Sequence, residues 1–291
     1  MKTHMINTFL MVLLGLVLAV PTSAQIDVPP LSPEGYVKQK VGYVIVEVTY
    51  CRPSMRGRVI FGDVVPYGEV WRTGANASTK IHFSQEVTLN DHKVPAGEYA
   101  LYTIPTANEW TIILSKNTKL WGAYGYKESD DLVRFKVKPE KTMYHFETFT
   151  IDIGELTGTS ATLQMFWENT VVRVNIGTTT DEEIVAKIDK MLNNPMVMVG
   201  NNYYGGADYY LRTHRDIDQA LTWINKAIEI NGASPWYLQT KAEIMVEKGD
   251  YGEAIKIANE GIDIAKKEGE DAYAMALEKM IEKWKEVRSK N

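Results

Sequence analysis

The sequence predicts two domains in succession: an antiparallel β-sandwich or jelly-roll-like domain, and then a domain of α-helices. Eight short segments between residues 43 and 176 alternate apolar and polar residues, or are rich in β-branched and aromatic residues, which is typical of strands. From about residue 178 the apolar residues recur at helical spacing instead. A chain of 291 residues is long enough for two domains of ordinary size.

The strand signals follow one another at the spacing of hairpins, with turn residues between them and no helical period. The predicted turns include the residues around Asn90 and the pair Glu168–Asn169. Such a series favours antiparallel sheets over a parallel sheet with crossover helices. The clearest predicted strands are Tyr43–Tyr50, Thr79–Ser84, Glu98–Ile104, Glu109–Ser115, Leu132–Lys138, His145–Ile153, Ala161–Glu168 and Val171–Ile176.

The helical part begins at Thr178–Leu192, where N-cap residues and acidic first-turn residues accompany apolar residues at helical spacing. Further along, Asp216–Asn231 aligns with Asp250–Ala265 at a period of 34 residues. Small residues recur at equivalent places in both copies, and Pro235 falls between them. The period and the small residues resemble the tetratricopeptide repeat over about residues 202–287. The resemblance implies paired helices that stack into an array.

The first 24 residues have the pattern of a secretory signal peptide. Lys2 supplies the positive charge, and Phe9–Val20 is an apolar run too short to span a membrane. Small residues follow, so cleavage is predicted after Ala24; the alternative, an uncleaved anchor, requires a longer run. No later segment is long and apolar enough for a transmembrane helix. The sequence therefore predicts an exported protein, periplasmic or extracellular, with a signal peptide at 1–24, a β-sandwich domain at 25–178 and a helical domain at 179–291.

Composition and charge limit the classes of function. The chain is 45% hydrophobic and 24% charged, as soluble globular proteins are, and its net charge of -5 argues against a nucleic-acid partner. Cys51 is the single cysteine, so the chain has no internal disulfide. The histidines do not stand at the spacing of metal ligands such as H-E-x-x-H. We therefore expect neither a metal site nor a cofactor.

The segment Cys51–Ser84 is the candidate functional stretch. It leaves one predicted strand and returns at another, and its Pro and Gly residues predict a long ordered loop. Between Val48 and Gly62 it holds three arginines and no acidic residue. Arginine forks bind carboxylate, phosphate or sulfate groups, backbone amides around Gly74 add donors, and tryptophan offers a face to a sugar ring. The candidate ligand-binding residues are Arg52, Arg58, Trp71, Arg72, Asn76 and Thr79.

A structural interpretation of the same arginines competes with this one, because arginines in a long loop often pair with acidic residues and fix the loop in place. The acidic residues available as partners are Asp63, Glu69, Asp130 and Asp131. A second group, Trp121–Asp131, combines aromatic and acidic residues that suit a sugar-binding face or glycoside chemistry. Packing between strands is the alternative for that segment.

Several unbroken motifs resemble a bacterial family called domain of unknown function 2911. They are "RPSMRGRVIFG", "VPYGEVWRTGAN" and "PAGEYALYTIP", and "EWTIILS", "WGAYGY" and "FWENT" fit the same pattern. The resemblance covers about Leu31–Ile176. It implies export in Bacteroidetes-like bacteria and helical repeats behind the β domain, but no established activity. The residues that carry it are Arg52, Pro53, Arg58, Gly62, Trp71, Arg72, Gly74, Asn76, Pro95, Gly97, Tyr99, Trp110, Trp121 and Gly122.

The sequence favours a non-enzymatic binding module over two alternatives. In that interpretation the β domain holds an anionic small molecule or a glycan beside the arginine-rich loop, and the helical repeats bind a protein partner or brace the β domain. The first alternative is a cell-envelope hydrolase that uses carboxylates such as Glu69 or Asp130 beside the arginines. The second is an assembly adaptor that acts through the groove of the repeats. No spacing in the sequence identifies a catalytic residue.

Overall fold

The structure is a computed structural model and describes residues 28–192 and 199–289. The predicted signal peptide and its cleavage site lie outside the described residues. The chain divides into two compact units, Met1–Thr178 and Thr179–Asn291. The first consists of antiparallel strands and the second of helices, so the predicted order of β and then α is confirmed.

The first unit, called the β domain below, contains two antiparallel sheets. Its strands are β1 Glu34–Val41, β2 Val44–Cys51, β3 Thr79–Phe83, β4 Val87–Leu89, β5 His92–Val94, β6 Gly97–Pro105, β7 Trp110–Ser115, β8 Asp131–Val137, β9 Glu140–Gly154 and β10 Ser160–Thr178. The strand order is β1-β2-β3-β6-β7-β8 in the six-stranded sheet and β5-β4-β10-β9 in the four-stranded sheet. Neighbouring strands are joined by hairpins or short loops, except at β2–β3, β7–β8 and the connections that change sheet.

Alternation along each strand places one face of each sheet in a shared core. In β2, Val44, Val46 and Val48 are fully buried, while the residues between them are half-buried or more exposed. Val48 pairs with Ile81 of β3, which is also fully buried. Because cross-strand partners lie on the same face of a sheet, the buried residues of successive strands form one continuous apolar surface.

Strand β6 is buried on both faces. Leu101 faces the core between the sheets, whereas Ala100 and Tyr102 point to the outer face of the six-stranded sheet and are fully buried there as well. Side chains from residues 120–126 cover this outer face, among them Leu120. This cover explains why "YALYTI" has apolar residues on both faces of the strand and not on one face only.

Two parts of the strand prediction need correction. The turn predicted at Glu168–Asn169 is wrong, because β10 continues through it. Glu168 has a φ of 51°, and the pairing of β10 with β9 shifts on both sides of it, which identifies a β-bulge. The observed strands β1, β4 and β5 are also absent from the predicted set. In β1, polar residues occupy most of the exposed positions, and only Val37 and Val41 mark its inner face. Strands β4 and β5 have three residues each, too few for alternation to be recognised.

The loop between β2 and β3, residues 52–78, packs into the core. Ile60 and Val65 in this loop are buried, and Trp71 pairs with Thr103 of β6 through two backbone hydrogen bonds of 2.7 and 2.9 Å. The indole of Trp71 also stacks on that of Trp167, with ring centroids 5.8 Å apart. The aromatic cluster formed by these contacts comprises Phe61, Trp71, Trp110, Phe149 and Trp167. The long ordered loop is therefore held by apolar anchors.

The second unit consists of six helices in the part of it that the structure describes. They are α1 Thr180–Leu192, α2 Gly200–Arg212, α3 Ile217–Asn231, α4 Pro235–Glu247, α5 Tyr251–Glu268 and α6 Asp271–Arg288. The 34-residue repeat corresponds to α3 and α5, whose N-caps are equivalent. Asp216 accepts a hydrogen bond from the third residue of α3 at 3.0 Å, and Asp250 does the same for α5.

Small residues allow the helices of the second unit to approach closely. Ala220 and Ala254, which are equivalent in the repeat, are both fully buried. Gly261 of α5 lies so close to its neighbours that a Cβ there would stand 3.2 Å from Leu277 of α6 and 3.5 Å from Leu238 of α4. The small residues that suggest the repeat in the sequence thus lie where helices touch.

The aromatic cluster predicts where the β domain is most sensitive to truncation. Trp167 is 2% exposed and lies against three other aromatic rings, so Trp167→Ala should destabilise the domain by about 3–5 kcal/mol. Chemical denaturation followed by circular dichroism measures this loss. Trp121→Ala is the matched control, because Trp121 is 64% exposed and should lose no more than about 0.5 kcal/mol. Equal losses in the two variants would refute the anchoring role of the cluster.

Candidate functional site

The structure places the candidate arginines at different parts of the β domain. Arg52 lies across β9, where its Nε donates to the carbonyl of Phe149 at 3.3 Å and its Nη2 to the hydroxyl of Thr150 at 2.8 Å. Arg58 is exposed and donates to backbone carbonyls of its own loop, those of Met55 and Ser54, at 2.9 and 3.0 Å. These two guanidinium groups therefore have neutral acceptors as partners.

Asn76 and the backbone of Arg52 fasten the segment that leads into β1. The Asn76 amide donates to the carbonyl of Ser32 at 3.3 Å, and the Arg52 N–H donates to that of Pro33 at 2.8 Å. Arg56, which is outside the candidate set, donates to the carbonyl of Leu31 at 2.8 Å. Three loop residues thus converge on one stretch of three residues, which gives Asn76 an anchoring contact in the fold.

Trp71 and Thr79 face inward. The indole of Trp71 is enclosed by the aromatic cluster, and its N–H donates to the carbonyl of Gly74 at 3.0 Å. The hydroxyl of the fully buried Thr79 donates to the carbonyl of Thr73 at 2.6 Å. Both side chains hold the turn around Gly74, so Trp71 does not present the open ring face that a sugar would need.

None of the acidic residues considered as partners forms an ion pair with an arginine of the loop in the part of the chain that the structure describes. Asp131 accepts a hydrogen bond from Tyr126 at 2.7 Å and pairs with Arg134 at 3.1 Å, and Asp130 accepts from Asn117 at 3.3 Å. Asp63 and Glu69 are exposed, and neither forms an ion pair within the described part of the chain. The expected pairing of loop arginines with these acids is therefore not found.

Arg72 lies on the outer face of the six-stranded sheet, against the segment 120–126. Its Nη1 would be 2.5 Å from a Cβ at Gly122, a position where φ is +65°. The Nε of Arg72 is buried and has no hydrogen-bond partner among the described residues. Two motifs that carry the family resemblance, "RTGAN" and "WGAYGY", therefore meet at the Arg72–Gly122 contact.

Lys80 of β3 lies in the same region. Its Nζ donates to the carbonyl of Ser78 at 2.8 Å and to the hydroxyl of Ser78 at 2.5 Å. Burial lowers the pKa of Lys80, and the nearby carboxylate of Glu98 opposes that shift. The hydroxyl of Ser78 donates in turn to the carbonyl of Leu120 at 3.3 Å. Lys80 is thus held partly buried beneath the covering segment.

Tyr102 connects the two cations. Its hydroxyl donates to the carbonyl of Gly122 at 3.1 Å, and a hydrogen bond with Ser78 counteracts part of the rise in the Tyr102 pKa that burial causes. Arg72, Gly122, Tyr102, Ser78 and Lys80 consequently form an unbroken chain of contacts, which we call the outer-face cluster. Neither Arg72 nor Lys80 forms an ion pair with a carboxylate in the part of the chain that the structure describes.

Two aromatic side chains beside the outer-face cluster are open to solvent. Trp121 is 64% exposed and Tyr124 is 78% exposed, and they flank the glycine that contacts Arg72. Tyr126 turns inward from the same segment and packs edge-on against Tyr102, with ring centroids 5.2 Å apart. Burial, together with the hydrogen bond to Asp131, raises the pKa of Tyr126 to about 12. The segment thus exposes the rings of Trp121 and Tyr124 to solvent, while Tyr126 holds it against Tyr102 of β6.

Ser78, Lys80 and Tyr102 are not identified as site residues by any pattern in the sequence. Strand alternation indicates only that Lys80 points away from Ile81, and an outward lysine on a strand is ordinarily solvated. Its hydrogen-bond partner Ser78 donates to the carbonyl of Leu120, 42 residues after Ser78, in the segment that covers this face of the sheet. No local signal in the sequence marks this cover.

In residues 28–192 and 199–289, no three histidine, cysteine, aspartate or glutamate side chains are grouped so that they could hold a metal ion. No helix in those ranges combines the length and apolar character that crossing a membrane requires.

Residues 32–176 match the model of the family described as "Protein of unknown function (DUF2911)", and the β domain belongs to that family. The chain is also 31% identical over 101 residues to "Mitochondrial import receptor subunit TOM70" of Homo sapiens and of Rattus norvegicus. The aligned stretch is 34% of this chain and 17% of each of those proteins, so the chain spans a small part of their length. This similarity supports the helical-repeat character of the second unit. No solved structure matches the chain.

Gly122 and Gly125 allow the Arg72 contact to be tested separately from backbone strain. Both have positive φ, +65° and +77°, so alanine at either position should lose about 1 kcal/mol to the left-handed backbone. Only at Gly122 does the added Cβ approach Arg72, which should add about 1 kcal/mol or more. Thermal denaturation should therefore show a larger loss for Gly122→Ala than for Gly125→Ala. Equal losses would mean that Arg72 is free to move away from Gly122.

Proposed function

We propose that the β domain binds an anionic sugar, such as a sugar acid or a phosphorylated sugar, at the outer-face cluster. The anionic group of the ligand lies between Arg72 and Lys80, and its ring stacks on Trp121 or Tyr124. Guanidinium and ammonium groups provide charged donors for an oxyanion, and exposed indole and phenol rings provide flat apolar faces for a pyranose. This is binding without catalysis.

One observation carries the proposal: two cationic side chains are brought into one half-buried region, and neither forms an ion pair with a described carboxylate. The exposed Glu98 only opposes the effect of burial on the pKa of Lys80. Partial burial weakens the screening of both charges by water. The buried Nε of Arg72 has given up its hydration without gaining an acceptor among the described residues. An oxyanion between Arg72 and Lys80 would supply the missing acceptor.

The hydrolase alternative has no comparable support. It requires a carboxylate within hydrogen-bond reach of the arginines of the loop, and Glu69 and Asp130 do not provide one. The carboxylate of Asp131 is buried, but its Oδ2 binds Tyr126 and Arg134 and its Oδ1 has no hydrogen-bond partner among the described residues, so no arginine of the loop reaches it. We therefore do not include a catalytic step in the proposal.

The proposal predicts charge-dependent binding by the full chain. Glucuronate should bind in isothermal titration calorimetry, and glucose, which has the ring without the carboxylate, should bind more weakly. Arg72→Gln should reduce the affinity for glucuronate by at least about tenfold, because a hydrogen bond to a charged group contributes about 1.5–3 kcal/mol. Trp121→Ala should weaken binding through loss of ring stacking, about 0.5–1.5 kcal/mol.

The matched control for that experiment is Arg58→Gln, another arginine of the same loop, which donates only to neighbouring carbonyls. Its affinity for glucuronate should stay within about twofold of the original. If Arg72→Gln fails to fold, Lys80→Gln replaces it, since Lys80 belongs to the same cluster. Equal effects at Arg58 and Arg72, or equal affinity for glucose and glucuronate, would refute the proposed site.

We also propose that the helical unit binds a protein partner. Its repeat of 34 residues and its similarity to part of proteins named import receptor subunits support such a role. The face where α5 and α6 meet carries a groove of about 780 Å³, and Met275 on this groove is 58% exposed. Most of the residues that line the groove are charged, among them Lys266, Glu278 and Lys279. An exposed apolar side chain rimmed by charged residues suits a protein-interaction surface.

A pair of methionine variants tests this role. Met275→Glu places a charge in the groove between α5 and α6 and should abolish partner-specific cross-links of the full chain in a bacterial envelope extract. Met143→Glu introduces the same charge at a methionine that is 94% exposed on the β domain, and it should leave the cross-links unchanged. Mass spectrometry identifies the cross-linked peptides. A partner whose cross-links depend on Met143, or on neither residue, would contradict the role of the groove.

A further inference from the structure

A second polar groove lies at an edge of the β domain, away from the outer-face cluster. It has a volume of about 390 Å³ and lies between β1 and the outward-facing residues of β9 and β10. This volume is within the range of about 300–1,000 Å³ that small-molecule sites occupy. Its lining includes a positive side chain, Arg52, a negative one, Asp152, and the aromatic residues Phe146 and Phe166.

Arg52 contributes unused hydrogen-bond donors to this edge groove. Its Nε is bound to the carbonyl of Phe149 and its Nη2 to the hydroxyl of Thr150, which fixes the plane of the guanidinium. Its Nη1 donates to no residue that the structure describes. The guanidinium carbon also lies 6.0 Å from the ring centroid of Tyr50. A pre-oriented guanidinium with free N–H groups is suited to a carboxylate.

Asp152 supplies the opposite charge at a short distance along the same strand. It is exposed and forms no ion pair or hydrogen bond with a described residue, Arg52 included. Thr150 and Asp152 are two residues apart on one face of β9, so their Cα atoms are roughly 7 Å apart. The guanidinium bound to Thr150 and the carboxylate of Asp152 therefore lie at neighbouring outward positions of β9 and line the same groove. A small zwitterion that contacted both groups would form charge-assisted hydrogen bonds of about 2.8 Å.

The apolar wall lies on the other side of Thr150. Phe166 is the cross-strand partner of Thr150, and its ring stacks on Phe146 with centroids 4.6 Å apart. Both phenylalanines are half-buried, so the stacked pair offers a ring surface to the groove. The charged groups and this wall are thus arranged around the hydroxyl of Thr150.

We propose that the edge groove binds a free α-amino acid with an apolar or aromatic side chain. Its carboxylate is held by Arg52, its ammonium group by Asp152, and its side chain packs on Phe146 and Phe166. An α-amino acid carries an ammonium group, a carboxylate and a side chain on one carbon. These three groups match the carboxylate of Asp152, the guanidinium of Arg52 and the apolar wall of the groove. This site is independent of the anionic-sugar proposal.

The test compares three ligands with the full chain by isothermal titration calorimetry: L-phenylalanine, N-acetyl-L-phenylalanine and L-phenylalaninamide. The acetyl group removes the positive charge of the ligand, and the amide removes the negative one. Each change should weaken binding by at least about tenfold, because each removes a charge-assisted hydrogen bond. Absence of L-phenylalanine binding, or equal binding of all three compounds, would overturn the proposal.

Variants then assign the charges. Asp152→Asn should weaken L-phenylalanine by at least about tenfold and should leave the affinity of the N-acetyl compound unchanged, because that compound has no ammonium group. Asp63→Asn is the control, an exposed aspartate of the same domain outside the groove. Arg52→Lys keeps a charge but loses the fork and should weaken binding as well. An unchanged affinity in Asp152→Asn refutes the site even if the Arg52 variant unfolds.

Arg72→Gln separates this proposal from the sugar proposal. It should leave L-phenylalanine binding intact, because Arg72 lies on the outer face of the other sheet. Loss of L-phenylalanine binding in Arg72→Gln would place the ligand outside the edge groove and overturn the assignment.

Discussion

The stacking of Trp71 on Trp167 is the contact on which both proposed sites depend. Trp71 belongs to the loop between β2 and β3, and its burial fixes the path of the chain on either side. Arg52, which precedes Trp71 in the loop, contacts β9 of the four-stranded sheet. Arg72, which directly follows Trp71, lies on the outer face of the six-stranded sheet. A core position thus directs two arginines of one loop to opposite sheets. The loop is rich in glycine and arginine, yet apolar packing determines its course.

The loop arginines Arg52, Arg56 and Arg58 donate to neutral acceptors, and no described carboxylate forms an ion pair that cancels their positive potential. Carbonyl oxygens satisfy part of the hydrogen-bond capacity of Arg52 and Arg58, whereas a carboxylate would also cancel the positive potential. The carboxylate of Glu147 illustrates the difference: it accepts from the backbone N–H of Arg56 at 2.8 Å and leaves the guanidinium of Arg56 to the carbonyl of Leu31. The protein as a whole has a net charge of -5, so this loop is locally positive on an acidic chain.

The sequence predicts the elements of this fold much better than it predicts the site. Alternation identifies β2 and β3, and the 34-residue period identifies α3 and α5, because those signals are local and periodic. The bulge at Glu168 is invisible to the same approach, since a residue with positive φ inside a strand looks like a turn. Residue type and position in one loop are all that the sequence offers for identifying candidate site residues. Contacts with β6, β10 and residues 120–126 determine the orientation of these side chains: Trp71 turns inward, and Arg72 contacts Gly122. No local sequence pattern encodes these contacts.

A purely structural role does not account for the charges in the outer-face cluster. An apolar side chain at position 80 would fill the space beneath Leu120 without losing hydration, and replacing buried charges by well-packed apolar residues is often neutral or stabilising. Lys80 instead brings an ammonium group whose pKa is lowered by that burial, next to a region that already contains Arg72. A partly buried cation without an ion-pair partner raises the free energy of the folded state. An anion bound at the outer-face cluster, as proposed above, would lower that free energy, because a ligand that binds only the folded state stabilises it.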